Sequence, residues 1–178
     1  EIRAAARRAH RSGVLVSAHM DEARGIRRGL EGGVDEFAHS PCYKTRRRVL
    51  RRAVEKRWPM IATLHTYEGC PFALANAATY RELGGRLLYG SDIGNTGIPK
   101  RLDLRELRLL SEAGLSNRQV ILAATRWAAS HLGFEKGGRL VVGSPGDVLA
   151  VDGDPFESLG VLREPRLVVS RGEIIRSR

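Results

Sequence analysis

Val14-Leu15-Val16-Ser17-Ala18-His19, Val34-Asp35-Glu36-Phe37-Ala38-His39 and Leu87-Leu88-Tyr89-Gly90-Ser91-Asp92 are short apolar runs that each stop on a residue able to hold a metal ion. Each reads as a buried strand ending in a ligand. The stretches between them have helical periodicity, so strands alternate with helices, which favours a parallel sheet with its helices packed outside. In a parallel barrel all strands point the same way. Their C-terminal ends share one rim, where two imidazoles and a carboxylate from distant parts of the sequence can meet around a cation.

At 178 residues the chain can build one good core, whereas a complete eight-stranded barrel takes about 250 residues. The sequence opens on Glu1 and goes straight into a helical pattern, Glu1 to Arg11, so it reads as the C-terminal part of a longer protein. It has no apolar run approaching the roughly 20 residues of a bilayer span and no visible signal peptide. Cys42 and Cys70 stand without CxxC spacing, which predicts reduced thiols packed near the rim in a cytoplasmic protein. The formal charge of +10 comes from arginines spread over several predicted helix faces, with one dense cluster at Arg46, Arg47, Arg48, Arg51 and Arg52. That cluster reads as a solvated helix face.

Along the chain, Ile2, Ala5, Ala6 and Ala9 make a first amphipathic helix closed by Gly13, and Val14 to Ala18 is the first strand. Asp21 stands where a helix N-cap belongs, before a helix with Ala23, Ile26 and Leu30 on one face and Gly32-Gly33 at its exit. The strand Val34 to Ala38 leads to an arginine-rich helix from Lys44 or Thr45, stopped by Trp58-Pro59; Met60 to Leu64 is the next strand and ends on His65. A helix over 72–83 begins after Pro71, Gly84-Gly85 ends it, and Arg86 to Tyr89 is the fourth strand. A Gly- and Pro-bearing loop, 93–100, precedes helices over 102–113 and 117–132, the latter capped by Ser116. From Gly137 the character changes to short strands, 139–142, 147–151, 167–170 and 173–175, between Gly-, Pro- and Asp-rich turns. Residues 1–136 and 137–178 are the expected units.

These residues resemble the amidohydrolase superfamily, metal-dependent hydrolases with a distorted (β/α)8 barrel and an attached β-sandwich. Within it the wording is closest to imidazolonepropionase-like and prolidase-like members. The resemblance rests on His19, His39 and Gly90-Ser91-Asp92, and on Gly143-Ser144-Pro145-Gly146-Asp147-Val148-Leu149-Ala150-Val151-Asp152, which is similar to the family's sandwich signature with Gly146 in place of an alanine. It implies an α/β fold, the C-terminal half of a TIM-like barrel followed by part of a small sandwich. His19 and His39 take the positions of the ligands that end the fifth and sixth strands, and Asp92 that of the aspartate that ends the eighth. The family's His-x-His pair and its bridging lysine or glutamate would lie upstream of Glu1.

The implied cofactor is a divalent metal, zinc first and iron or manganese next, as one ion or two; imidazole and carboxylate donors suit it. Asp92 would touch the metal and take the proton of the attacking water, and His65 would contact substrate at the same rim. Tyr67, Asn95 and Lys100 are weaker candidates, and His10 and His131 read as surface or packing residues. The expected activity is hydrolysis of carbon–nitrogen bonds in a small molecule, a cyclic amide or a dipeptide-like compound, with the fragment alone inactive. The runner-up is a lactonase or phosphotriesterase-like reaction. A third reading makes the helix from Lys44 to Arg57 a basic module for an anion such as RNA; no aromatic residues interleave the arginines at that helix's centre, and neither nucleic-acid nor membrane binding is expected. A homo-oligomer of the full-length protein is compatible with the sequence.

Overall fold

Short parallel strands, β1 (Ser17–Ala18), β2 (Glu36–Phe37), β3 (Pro59–Ile61) and β4 (Arg86–Leu88), lie side by side in sequence order in a computed structural model that describes residues 1–177. Arg178 lies outside the described residues. Helices α1 (Ile2–His10), α2 (Ala23–Gly32), α3 (Arg47–Glu55) and α4 (Ala73–Glu82) alternate with the strands, and α5 (Leu104–Glu112), α6 (Asn117–Ala124) and α7 (Arg126–His131) follow. The α/β class expected from the sequence is present. Among the described residues no helix is long and apolar enough to cross a membrane.

The register explains the burial. Ala18 pairs with Phe37, Phe37 with Met60 and Met60 with Leu87, so these side chains fall in one row on one face of the sheet. Phe37, Met60 and Leu87 are at most 1% exposed and pack with Ile26, Leu50, Ala77, Tyr80, Leu107 and Val120 in a single core. Trp58 and Tyr80 set their rings edge-on to Phe37 at 5.4 and 5.5 Å, and the Tyr80 hydroxyl donates to the Trp58 carbonyl. Past the strands the ladder runs on, with Ala38 N–H donating to Ala18 O and Ala62 N–H to Leu88 O. This carries the residues after each strand to a common edge.

Several elements are shorter than their apolar runs. Val14 and Leu15 are 56% and 50% exposed and unpaired in the sheet, because the Asp35 carboxylate takes the Val16 N–H and β1 starts only at Ser17. Asp21 is not the cap of α2: Glu22 holds that position without a side-chain bond, and Asp21 turns to His19. The single helix expected over 117–132 breaks at Thr125, whose φ and ψ of −131° and −97° are not helical and whose hydroxyl bonds the Ile121 carbonyl. The strand expected over 139–142 is absent; Leu140 and Val142 are 79% and 101% exposed. The C-terminal strands present are β5 (Val148–Ala150), β6 (Leu167–Ser170) and β7 (Glu173–Ser177), an antiparallel sheet in that order.

The cysteines are not free. Cys42 and Cys70 form a disulfide that ties the segment after β2 to the segment after β3, so the expectation of reduced thiols is wrong and the cysteines give no ground for a cytoplasmic setting. Spacing alone hid the pair, since 28 residues separate partners that the parallel ladder places together. Opening this crosslink by reduction or Cys42→Ser should cost about 3–4 kcal/mol through the freedom regained by the unfolded chain; urea denaturation checks it, and an unchanged midpoint would contradict it.

Candidate active site at the strand ends

Three of the sequence candidates, His19, His39 and Asp92, lie in the segments that follow β1, β2 and β4. His19 and His39 meet with ring centroids 5.0 Å apart, edge to face. Tyr67, from the segment after β3, stacks on His39 at 4.9 Å and donates its hydroxyl to His19 Nδ1 at 3.2 Å. On the other side of the ring, His19 Nε2–H donates to Asp21 Oδ2 at 2.9 Å. Both nitrogens of His19 are thus engaged. His39 bonds Thr63 Oγ1 through Nδ1 at 2.9 Å.

The electrostatics favour neutral imidazole at His39. Burial lowers its pKa, with the His19 ring acting in the same direction against the carboxylates of Asp92 and Asp21, which pull it up. Tyr67 is shifted up by burial and by Asp21 and Asp92, which keeps its hydroxyl protonated as a donor. The charge of Asp92 therefore reaches the two rings that flank the site. Asp92 itself has φ of 52°, a left-handed conformation that aspartate and asparagine tolerate better than most residues. Thr63 is at φ 47°, where a β-branched side chain is strained. Gly90 permits this turn: a Cβ there would stand 2.3 Å from Ile61 Cγ2.

Among the described residues no three His, Cys, Asp or Glu side chains stand close enough together to hold a metal ion. The donors nonetheless suit a cation in kind. Two imidazoles face each other, Asp92 and Asp21 supply negative potential, and Asp21 Oδ1 is buried without any hydrogen-bond partner. An orphaned carboxylate oxygen is costly and calls for a positive charge or a donor.

His65 is held apart from that pair. Its Nδ1–H donates to Asp103 Oδ2 at 2.7 Å and its backbone N–H to Glu106 Oε2 at 2.8 Å. Asn95 bonds only within its own loop, from Nδ2 to the Asp92 carbonyl. His10 pairs with Asp35 at 2.8 Å and His131 with Glu36.

No protein-family model and no curated relative matches the chain. Solved structures do. An amidohydrolase matches with a TM-score of 0.88 at 27% identity, over 100% of this chain and 48% of that one. A putative prolidase from Bifidobacterium longum matches at 0.83 and 28% identity, over 98% and 50%. Over nearly its whole length the chain is thus similar to amidohydrolase and prolidase structures. A Xaa-Pro dipeptidase with methionine bound in its active site has the same fold, at TM-score 0.88, 21% identity and coverage of 99% and 48%. The chain thus spans about half the length of the amidohydrolase structures it matches.

Sequence reasoning missed Asp21, Thr63, Asp103 and Glu106 as parts of the site. Asp103-x-x-Glu106 carried a signal, an N-cap residue followed three positions later by glutamate, which marks a helix start but not a buried charge. Glu106 is 0% exposed, Oε1 has no partner, and burial raises its pKa to about 7 from an ordinary 4.5. The folded state thus holds more protons than the unfolded state between those values, so stability falls as pH rises from about 4.5 to 7. Glu106→Gln keeps an acceptor for the His65 N–H and removes the ionisation, so it should flatten that slope and stabilise the protein above pH 7 by roughly 3 kcal/mol. Denaturation at pH 5 and pH 8 checks this; identical pH dependence in both proteins would refute it.

Proposed function

We propose that this chain is the C-terminal half of a metal-dependent hydrolase that cleaves carbon–nitrogen bonds in a small-molecule substrate, cyclic amide or dipeptide-like. The observation that carries it is the meeting of His19 and His39, from separate strand ends, within the field of Asp92. Residues 1–136 would be the second half of the (β/α)8 barrel and 137–178 the closing strands of a β-sandwich. The remaining metal ligands belong to the other half of the barrel. The amidohydrolase and the putative prolidase that the chain matches support carbon–nitrogen bonds ahead of lactones or phosphotriesters.

His19, His39 and Asp92 would hold the cation, with neutral imidazoles leaving its charge largely uncompensated. When bound, a divalent metal of the zinc type supplies Lewis acidity that polarises a carbonyl and lowers the pKa of water. Asp92 is suited to receive a proton at its carboxylate and pass it to the departing nitrogen, a transfer over one hydrogen-bond length. Asp21 and Tyr67 hold His19 from its two sides, so ligation at either nitrogen requires one of them to move.

Asp92→Asn is the sharpest test, because asparagine accepts the same left-handed backbone while losing the proton acceptor. In the complete enzyme loaded with zinc it should lower kcat on a hydrolysed dipeptide by about 10²–10⁴-fold, and His19→Ala should lower metal content as well. Unchanged turnover in both variants would reject the reading.

A further inference from the structure

His65 is held by more charge than a packing histidine needs. The two oxygens of Asp103 divide their tasks: Oδ1 caps α5 by accepting from the N–H groups of Arg105 and Glu106 at 3.0 and 3.3 Å, and Oδ2 accepts from His65 Nδ1–H at 2.7 Å. The Asp103 backbone N–H donates in turn to the Tyr89 hydroxyl at 2.9 Å, and Glu106 takes the His65 backbone N–H. Asp103 is 1% and Glu106 0% exposed, and a cap alone could be supplied by an uncharged Ser, Thr or Asn. Asp103 is the carboxylate that meets the ring, and burying its charge there is costly unless the imidazole's orientation matters.

That orientation leaves Nε2 without a hydrogen bond. The nearest charged oxygen, Glu68 Oε2, is 3.8 Å away, beyond hydrogen-bond range, and Glu68 is already gripped by the Arg105 guanidinium. With Nδ1 carrying the proton toward Asp103, Nε2 of the neutral ring carries the lone pair. The His65 side chain is 24% exposed, so that lone pair is open to a ligand. It sits on the segment that also bears Tyr67, and Thr66 beside it bonds the Ser91 carbonyl next to Asp92.

We propose that Asp103 is a positioning residue that locks His65 in the Nδ1–H form, and that His65 Nε2 accepts a hydrogen bond from an N–H donor of the substrate, an amide or an ammonium. The groups around it are acceptors, Asp103 and Glu106 behind and Glu68 beside, with Arg105 turned onto Glu68 and Glu112. Such surroundings favour a donor or a cation over an anion. The substrate role rests on the hydrolase reading above; the locked tautomer does not.

The tautomer is tested on this chain. Diethyl pyrocarbonate acylates an unprotonated imidazole nitrogen, and mass spectrometry reads its rate at His65 against His10 in the same sample. Asp103→Asn keeps the α5 cap but turns an amide N–H toward Nδ1, which moves the proton to Nε2. His65 acylation should then slow at least about tenfold relative to His10. An unchanged ratio would overturn the proposal, as would a nitrogen-15 NMR spectrum showing His65 as the Nε2–H form in the unaltered chain, a readout that stands even if the variant fails to fold. In the complete enzyme, His65→Gln and Asp103→Asn should raise KM for a hydrolysed dipeptide more than kcat falls, with metal content unchanged. Wild-type turnover with both variants kinetically normal would refute the substrate role, whereas an inactive wild type would count against the hydrolase reading and leave the acylation result to decide the tautomer.

Discussion

Parallel pairing of four very short strands is the constraint on which the site depends. β1 and β2 are two residues each and β3 and β4 three, yet the in-register row Ala18, Phe37, Met60 and Leu87 locks them edge to edge while the helices bury Phe37, Met60 and Leu87. A one-residue slip in any strand would turn these side chains to the opposite face and leave the core without its centre. Because all four strands run one way, the same register delivers His19, His39, the Thr63–Tyr67 segment and Asp92 to one edge. Packing on the helix side thereby fixes chemistry at the strand ends.

Charge at that edge is arranged in two separate groups. One holds His19, His39 and Tyr67 within the field of Asp21 and Asp92; the other holds His65 against Asp103 and Glu106. Each contains a buried carboxylate oxygen with no partner, Asp21 Oδ1 in the first and Glu106 Oε1 in the second. Such atoms lower stability, and a fold keeps them where a cation or donor completes them or where they hold a neighbour in place. The strained Thr63 and the left-handed Asp92 are part of the same investment. The disulfide from Cys42 to Cys70 braces the two segments that carry His39's neighbours and Tyr67.

The sequence made the strand-end histidines and Asp92 legible because apolar runs that stop on polar residues are a one-dimensional signal. It made the caps at Gly33 and Ser116 legible for the same reason, φ of 84° at the one and a reciprocal capping box at the other. What it hid depends on contacts across the chain. Asp35 shortens the first strand from 19 residues away, Asp103 reaches His65 from 38, and Cys42 reaches Cys70 from 28. Val142 lies in a run that reads as a strand but finds no neighbour to pair with. Asp21 was taken for a cap by its position before α2, but an imidazole two residues earlier offered its carboxylate a better partner than the helix did.

The central claim is that His19, His39 and Asp92 form one cation site. It is met most directly by diffraction from the complete protein grown with zinc, using anomalous scattering at the zinc edge. The account predicts a peak within bonding distance of a nitrogen of His19, a nitrogen of His39 and the Asp92 carboxylate, with Asp21 or Tyr67 displaced from His19. A zinc peak elsewhere, with His19 still bound to both Asp21 and Tyr67, would contradict it.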